Sequence, residues 1–158
     1  MSEDACLYKI RLAYLDEWGK TMTFVWRTFM QSEGAKCGED GKRRFLDFIT
    51  DKALRDSFMK GEYLVLLALD GESIVGAAAV RYRNHLSLLF VDKNYQLRGI
   101  GRTLLNTVVE YARKMGERYV SLQAVSDAVA FYRKQGFRAV RPEEEFSGIH
   151  ITYMEKYF

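Results

Sequence analysis

The sequence predicts an α+β, or mixed α/β, domain built on one central sheet, and three observations carry that expectation. Segments with strand alternation or short apolar runs interleave with segments of helical apolar spacing, in the order β-α-α-β-β-β-α-β-α-β-β. The 158 residues suit a single domain, 1–158, with one substantial core. Hydrophobic residues make up 48% and charged residues 28%, a globular composition rather than a disordered one.

Each element has its own signal. Leu7–Ala13 alternates apolar and polar residues and reads as a first strand. From Asp16 to about Met30, Trp18, Met22, Val25, Trp26 and Phe29 recur at helical spacing, and a glycine-containing polar loop follows. Phe45, Phe48, Ile49, Leu54 and Phe58 mark a second helical region. Residues 62–83 read as a hairpin turning at Asp70-Gly71. His85–Val91 is short and almost wholly apolar, as a central strand should be. A third helix then presents Ile100, Leu104, Leu105, Val108, Val109, Ala112 and Met115 on one face and stops at Gly116. A fifth strand at 118–125 precedes a short helix with Asp127 as N-cap and Gly136 as stop. "FRAV" and "IHITYMEKYF" close the chain as two strands.

Composition excludes several classes. A net charge of +3 without a basic run does not point to nucleic acid. No apolar run approaches the roughly 20 residues of a membrane span, and the first ten residues lack the basic-then-apolar order of a secretory signal. Cys6 and Cys37 are too few and too far apart for a disulfide framework, and with His85 and His150 they lack metal-ligand spacing. No metal site is expected, and reduced thiols in the cytoplasm fit best. The single proline, Pro142, and the lack of repetitive stretches argue against linkers and repeats.

The stretch "NYQLRGIGRTL" carries the chemistry. It runs from a polar loop into the third helix, with Gly99 and Gly101 at the junction and Arg98 and Arg102 beside them. One reading is a helix-start turn with two solvated arginines. The other is a set of bared N–H groups ready to hold an anion. A dinucleotide fingerprint fails, because the place of its third glycine is Leu104. A P-loop fails too, because Gly101 is followed by Arg102-Thr103 rather than Lys-Ser/Thr.

What remains is an apolar strand, a polar loop, Gln-x-x-Gly-x-Gly and an amphipathic helix: "LLFVDKNYQLRGIGRTLLNTVVEYA". This resembles the acyl-CoA-binding segment of the GNAT superfamily of N-acyltransferases. "AVAFYRKQGF", at Ala128–Phe137, resembles the same family's Ala-x-x-Phe-Tyr-x-x-x-Gly-Phe segment. The resemblance is specific from about Tyr63 onward; the first two helical regions resemble nothing in particular. It implies a mostly antiparallel, twisted central sheet flanked by helices, with acetyl-CoA as acyl-donor cosubstrate. A CoA pyrophosphate, compact and doubly negative, suits a positive helix terminus.

Carried over, the pyrophosphate loop falls on Gln96, Leu97, Arg98, Gly99, Ile100, Gly101 and Arg102, acting mainly through main-chain N–H groups. The resemblance also implies that main-chain groups of Phe90 and Val91 hold the pantetheine arm, where this strand diverges from the next. Tyr132 matches the family's tyrosine that protonates the departing thiolate; its bland alternative is a core aromatic. Two positions depart from the pattern. The arm-contacting Asn or Ser seven residues before the tyrosine is Val125 here; the adjacent Ser126 is the candidate to take over that contact, although a one-residue shift on a strand points to the other face. The strand-four glutamate that serves some relatives as base is matched to Ser87.

An amine with a pKa of about 10 must lose a proton before it attacks, so a base is still needed. His85 is the nearest tuned side chain, and His150 is a second candidate. Glu33, Glu39, Asp40 and the run Glu143–Glu145 would attract a cationic amine if they face the cleft; as solvated loop carboxylates they would not. Cys6 and Cys37 lie outside the motifs, which favours direct transfer in a ternary complex over an acyl-cysteine. The expected partner is thus an amine-bearing small molecule or protein, with no nucleic acid or membrane. The apolar-aromatic tail leaves homodimerisation open. The alternative from another class is an acyl-CoA-binding regulatory module without turnover.

Overall fold

A computed structural model describes residues 8–158, so Cys6 and the expected strand start at Leu7 lie outside the described residues. Strand β1 runs Lys9–Leu12. Arg11 and the N–H of Tyr14 both bond the Glu17 carboxylate, ending the strand in a one-turn 3-10 helix that leads into α1, Trp18–Gln31. Trp18, Met22, Val25 and Phe29 form the buried stripe of α1, as their spacing predicts. The second helical region is two helices rather than one. α2, Glu39–Ile49, stops at Thr50, and α3, Lys52–Met59, restarts from Asp51, whose carboxylate accepts the Ala53 N–H at 2.8 Å.

The hairpin is β2, Tyr63–Asp70, and β3, Ser73–Arg81, turning through Gly71 at φ +61°. β4 is His85–Val91 and α4 is Ile100–Lys114. The α4 stripe from Ile100 to Ala112 is buried, but Met115 is exposed: it caps the helix beyond the last turn, where Gly116 at φ +84° turns the chain away. β5, Tyr119–Val125, leads through a 3-10 turn into α5, Val129–Lys134. Asp127 is not its N-cap. Its carboxylate pairs with Lys36 of the loop between α1 and α2, and Ala128 takes the cap position. "FRAV" contributes only the two-residue β6, Arg138–Ala139. The acidic run expected in a loop forms part of a strand, β7, Glu144–Phe146, before β8, Ile149–Tyr157.

The sheet order is β1-β2-β3-β4-β5-β8-β6, with β7 also on β8, and every pairing is antiparallel except β4 with β5. On β2, Leu66 and Ala68 join the core under α4 and α5, whereas Val65, Leu67 and Leu69 join the core under α1 and α3. Burial on both faces is why this strand reads as an unbroken apolar run. Among the described residues no helix is long and apolar enough to cross a membrane.

The one parallel pairing creates the site. β4 and β5 are bonded only at His85↔Ser121 and Leu86↔Leu122. Next on β4, Ser87 bulges out: Val80 opposes Leu86 and Ala79 opposes Leu88. Beyond that point the strands part, so the β4 edge from Leu88 to Val91 faces a gap rather than a neighbouring strand. On one side of the gap lie α4 and α5. On the other, helices cover β2 to β4, and the polar row Ser121, Gln123, Tyr153 and Glu155 continues across β5 and β8.

Candidate functional site

The polar loop between β4 and α4 is pinned before it turns. Asp92 accepts the Asn94 N–H at 2.9 Å, and the Tyr95 hydroxyl donates to Asp70 at 2.7 Å. The chain then passes through left-handed backbone at Leu97, φ +64°, and Gly99, φ +83°. Gly99 is the N-cap of α4 and needs that conformation. Gly101 does not. A Cβ there would stand 3.6 Å from Val91 Cγ2 and 3.7 Å from Phe131 Cζ, so the protein has room for alanine but keeps that space open. The N–H groups of Gly99, Ile100 and Gly101 meet no acceptor among the described residues, and they point out of the positive end of a 15-residue helix.

Leu97 is wholly exposed while holding a conformation that costs an L-residue roughly 1–2 kcal/mol. Leu97→Gly loses no packing and relieves that strain, less the larger chain entropy of glycine. A net stabilisation of about 0.5–1 kcal/mol is expected, to be read from urea denaturation at constant slope.

A groove of about 570 Å³ extends from this loop between the end of β4 and α5. Val91, Gln96, Leu97, Arg98, Gly99, Ile100, Gly101, Arg102 and Tyr132 all line it. Leu89, Tyr95, Ala128, Phe131 and Gln135 line it too. Sequence reasoning omitted these, although Leu89 lies one strand period before Val91 and Gln135 one helical turn beyond Phe131. The Gln96 amide donates to the Val91 carbonyl at 3.4 Å, tying loop to strand. The Arg98 guanidinium bonds the Tyr8 hydroxyl at 2.8 Å and stacks over Tyr95, which fixes this cation at the groove's edge. Phe90 turns its ring to the opposite face, against Phe45, so only its main chain is available on the β4 edge.

Tyr132 is buried on α5 and packs edge-on against Phe131 and Phe137. Its hydroxyl has no hydrogen-bond partner among the described residues, yet it is not enclosed: Thr21 Oγ1 is the sole sealed, unpartnered side-chain atom there. The hydroxyl therefore opens on the groove. Burial pushes the phenol well above its ordinary pKa, which keeps its proton in place.

Ser126 does not reach the groove. The sequence makes it the candidate contact for the pantetheine arm, but β5 ends at Val125, Ser126 opens the 3-10 turn that follows, and its hydroxyl donates to Glu143 at 3.0 Å. Ser87 is no base: Tyr63 bonds its hydroxyl at 2.6 Å, and it donates onward to the Ala79 carbonyl at 3.3 Å. His150 lies on the α5 side of the sheet between Glu143 and Glu145, away from the gap. His85 lies outside the groove lining but at the closed end of the gap, half-buried, with Nδ1 2.8 Å from the Ser121 hydroxyl. Burial, and then the neighbouring Arg81 charge, lower its pKa and favour neutral imidazole.

On the face that carries Ser121 lies a second pocket of about 210 Å³, lined by Gln123, Arg141, Glu144, Phe146, Ile151 and Tyr153. Of the acidic run only Glu144 faces it, and Arg141 stacks on Tyr153 beside it. Glu143 and Glu145 are engaged by His150 instead. No cluster of three metal-ligating side chains occurs among the described residues. The arrangement thus presents an anion-holding helix end, an unpaired strand edge and a protonated phenol along one groove, with a neutral imidazole at the gap's end.

Comparison with known proteins agrees with this geometry. The family model described as an acetyltransferase (GNAT) domain matches residues 33–158. An uncharacterised N-acetyltransferase of Methanocaldococcus jannaschii is 42% identical over 52 residues, covering 31% of this chain and 23% of that protein. The chain therefore spans about a quarter of that relative's length. Among solved structures, a GCN5-related N-acetyltransferase from Rhodopseudomonas palustris superposes with a TM-score of 0.81 at 21% identity, covering 96% of each chain. The PaiA N-acetyltransferase of Thermoplasma acidophilum, in complex with coenzyme A, gives a TM-score of 0.78 at 18% identity, covering 96% of this chain and 99% of that one. The chain belongs to the GNAT acetyltransferase family.

Proposed function

We propose that this protein is an N-acetyltransferase that moves the acetyl group of acetyl-CoA directly to an amine, with both substrates bound together. The observation that carries the reading is the continuity of the groove from the open N–H groups of α4 to the Tyr132 hydroxyl. The residues fit CoA. Gly101 keeps clear a place that a Cβ would fill, and the helix end offers donors to a pyrophosphate.

When bound, acetyl-CoA supplies the acetyl group as a thioester that passes to the amine nitrogen while CoA leaves as the thiol. Gln96 to Arg102 hold the pyrophosphate, and main-chain groups of Phe90 and Val91 hold the arm on the open β4 edge. His85 takes the proton of the ammonium, directly or through water, and returns it to solvent. Tyr132 gives its proton to the departing sulfur and regains one from the newly acylated nitrogen, so the enzyme ends as it began. Measuring acetyl-CoA affinity by calorimetry and CoA release across a panel of amines tests the reading. Binding without release for any amine would leave the regulatory-module alternative instead.

The acceptor approaches from the second pocket, on the other side of the gap. An amine arrives as a cation at neutral pH, and Glu144 is the carboxylate positioned to meet it. For the best amine of the panel, Glu144→Gln is expected to raise acceptor KM three- to tenfold and leave acetyl-CoA affinity unchanged. The wild-type kcat/KM should fall as salt rises. Equal acceptor KM in the two proteins at low salt would remove Glu144 from this role.

A further inference from the structure

The second pocket holds two opposite charges that do not neutralise each other. Arg141 and Glu144 both line it, yet neither forms an ion pair, with the other or with any side chain among the described residues. Register keeps them apart. The Val140 N–H bonds the Tyr153 carbonyl, which sets Arg141 beside Tyr153, while Glu144 opposes Ile151. Their anchor points on β8 are thus two residues apart, roughly 7 Å. Both side chains are exposed, so a ligand meets them without displacing protein.

The Arg141 guanidinium is prepared for an anion. Its carbon stands 4.3 Å from the centre of the Tyr153 ring, and Tyr153 is itself held by donation to Glu155 at 2.9 Å. Stacking occupies the face of a guanidinium and leaves the N–H groups in its plane, where they match both oxygens of a carboxylate. A second cation, Arg44 of α2, lies 5.3 Å over the ring of Phe146, another wall of the pocket, and it too has no ion pair among the described residues. Glu155 does not line the pocket, so two guanidinium charges face one carboxylate there. That balance does not suit an acceptor that is cationic throughout. We propose that the pocket takes an amine that also carries a carboxylate, an amino acid, with Arg141 on its carboxylate and Glu144 on its ammonium.

The pocket borders the gap. Gln123, its wall on β5, follows directly on Leu122, where the pairing of β4 with β5 ends. Phe146 and Ile151 complete the lining with apolar surface for the rest of the ligand. The carboxylate is a handle and takes no part in the transfer. The bond formed is still that between amine nitrogen and acetyl carbon, the thioester C–S bond breaks, and the ammonium proton leaves as described above.

The acceptor role rests on the acetyl-transfer reading, whereas the pocket's ligand does not, and the two are tested separately. Binding is measured by calorimetry with CoA saturating, on three pairs that differ only by a carboxylate: alanine and ethylamine, lysine and cadaverine, phenylalanine and phenethylamine. In the best-bound pair the amino acid is expected to bind at least about tenfold tighter than its amine, the scale of one hydrogen-bonded charge. Arg141→Gln should bring the two within about twofold, and Arg141→Lys, which keeps the charge but not the planar fork, should restore only part of the preference. Arg141 is exposed, so neither change should unsettle the fold, which the melting temperature checks. No binding, no preference in any pair, or a preference that survives in Arg141→Gln overturns the inference. CoA release from acetyl-CoA with the simple amines alone also overturns it and leaves the transfer reading standing. Amino-acid binding without CoA release overturns the transfer reading and leaves the pocket's ligand standing.

Discussion

Gly101→Asp is expected to weaken acetyl-CoA binding at least tenfold, about 1.4 kcal/mol, while the protein stays folded. The fold should tolerate the change for three reasons. Gly101 does not use left-handed backbone. Its Cβ would meet Val91 and Phe131 at ordinary contact distances of 3.6 and 3.7 Å. A carboxylate in the first turn of α4 also interacts favourably with the helix dipole, by about 0.3–1 kcal/mol. The same carboxylate competes with the pyrophosphate for the N–H groups of Gly99, Ile100 and Gly101 and repels it. Gly101→Ala separates the two effects, since it fills space without charge and should cost less affinity. Calorimetry decides the matter when paired with a melting curve. An aspartate variant that melts no lower than wild type and binds acetyl-CoA as tightly would show that the pyrophosphate does not rest on this helix end.

The parts of the site legible in the sequence are those written in local backbone chemistry. Gly99 declares a left-handed cap, and the apolar stripe from Ile100 to Ala112 declares the helix behind it. The α2–α3 break was readable in principle: Asp51 follows Thr50 as a cap before a new apolar repeat, but Phe45, Ile49, Leu54 and Phe58 keep a helical rhythm across it. Ladder register is not local. Ser121 and Glu155 are brought opposite one another by β8 folding back on β5, and nothing near either residue announces the other. The same distance hid Asp127, which as a short acidic residue before a helix looks like an N-cap but is drawn to Lys36, 91 positions earlier. Charge runs misled for a related reason. Glu143–Glu145 alternate faces once they enter a strand, so one carboxylate lines the second pocket while its neighbours engage His150.

Tyr132→Phe is expected to lower kcat on the order of a hundredfold with acetyl-CoA affinity and stability nearly unchanged. Stability is spared because the hydroxyl bonds no group among the described residues, so its removal breaks no internal hydrogen bond. The ring stays, and with it the edge contacts to Phe131 and Phe137. The rate suffers because the departing sulfur loses the proton donor that opens on the groove. Burial raises the phenol's pKa, so the donor is loaded throughout the neutral and mildly alkaline range. The sign follows: a group with a raised pKa holds its proton at every pH below that value, and the wild-type rate should show no alkaline decline owing to Tyr132 below about pH 10. A thiol is itself fairly acidic, with a pKa of about 8.5, so a loss nearer tenfold would mean that thiolate departs before proton transfer is complete. Because the hydroxyl supports no packing, a fall in kcat cannot be charged to a loosened core if the melting temperature holds. A Tyr132→Phe protein with wild-type kcat would take the proton to sulfur from water instead and leave the tyrosine as a wall of the groove.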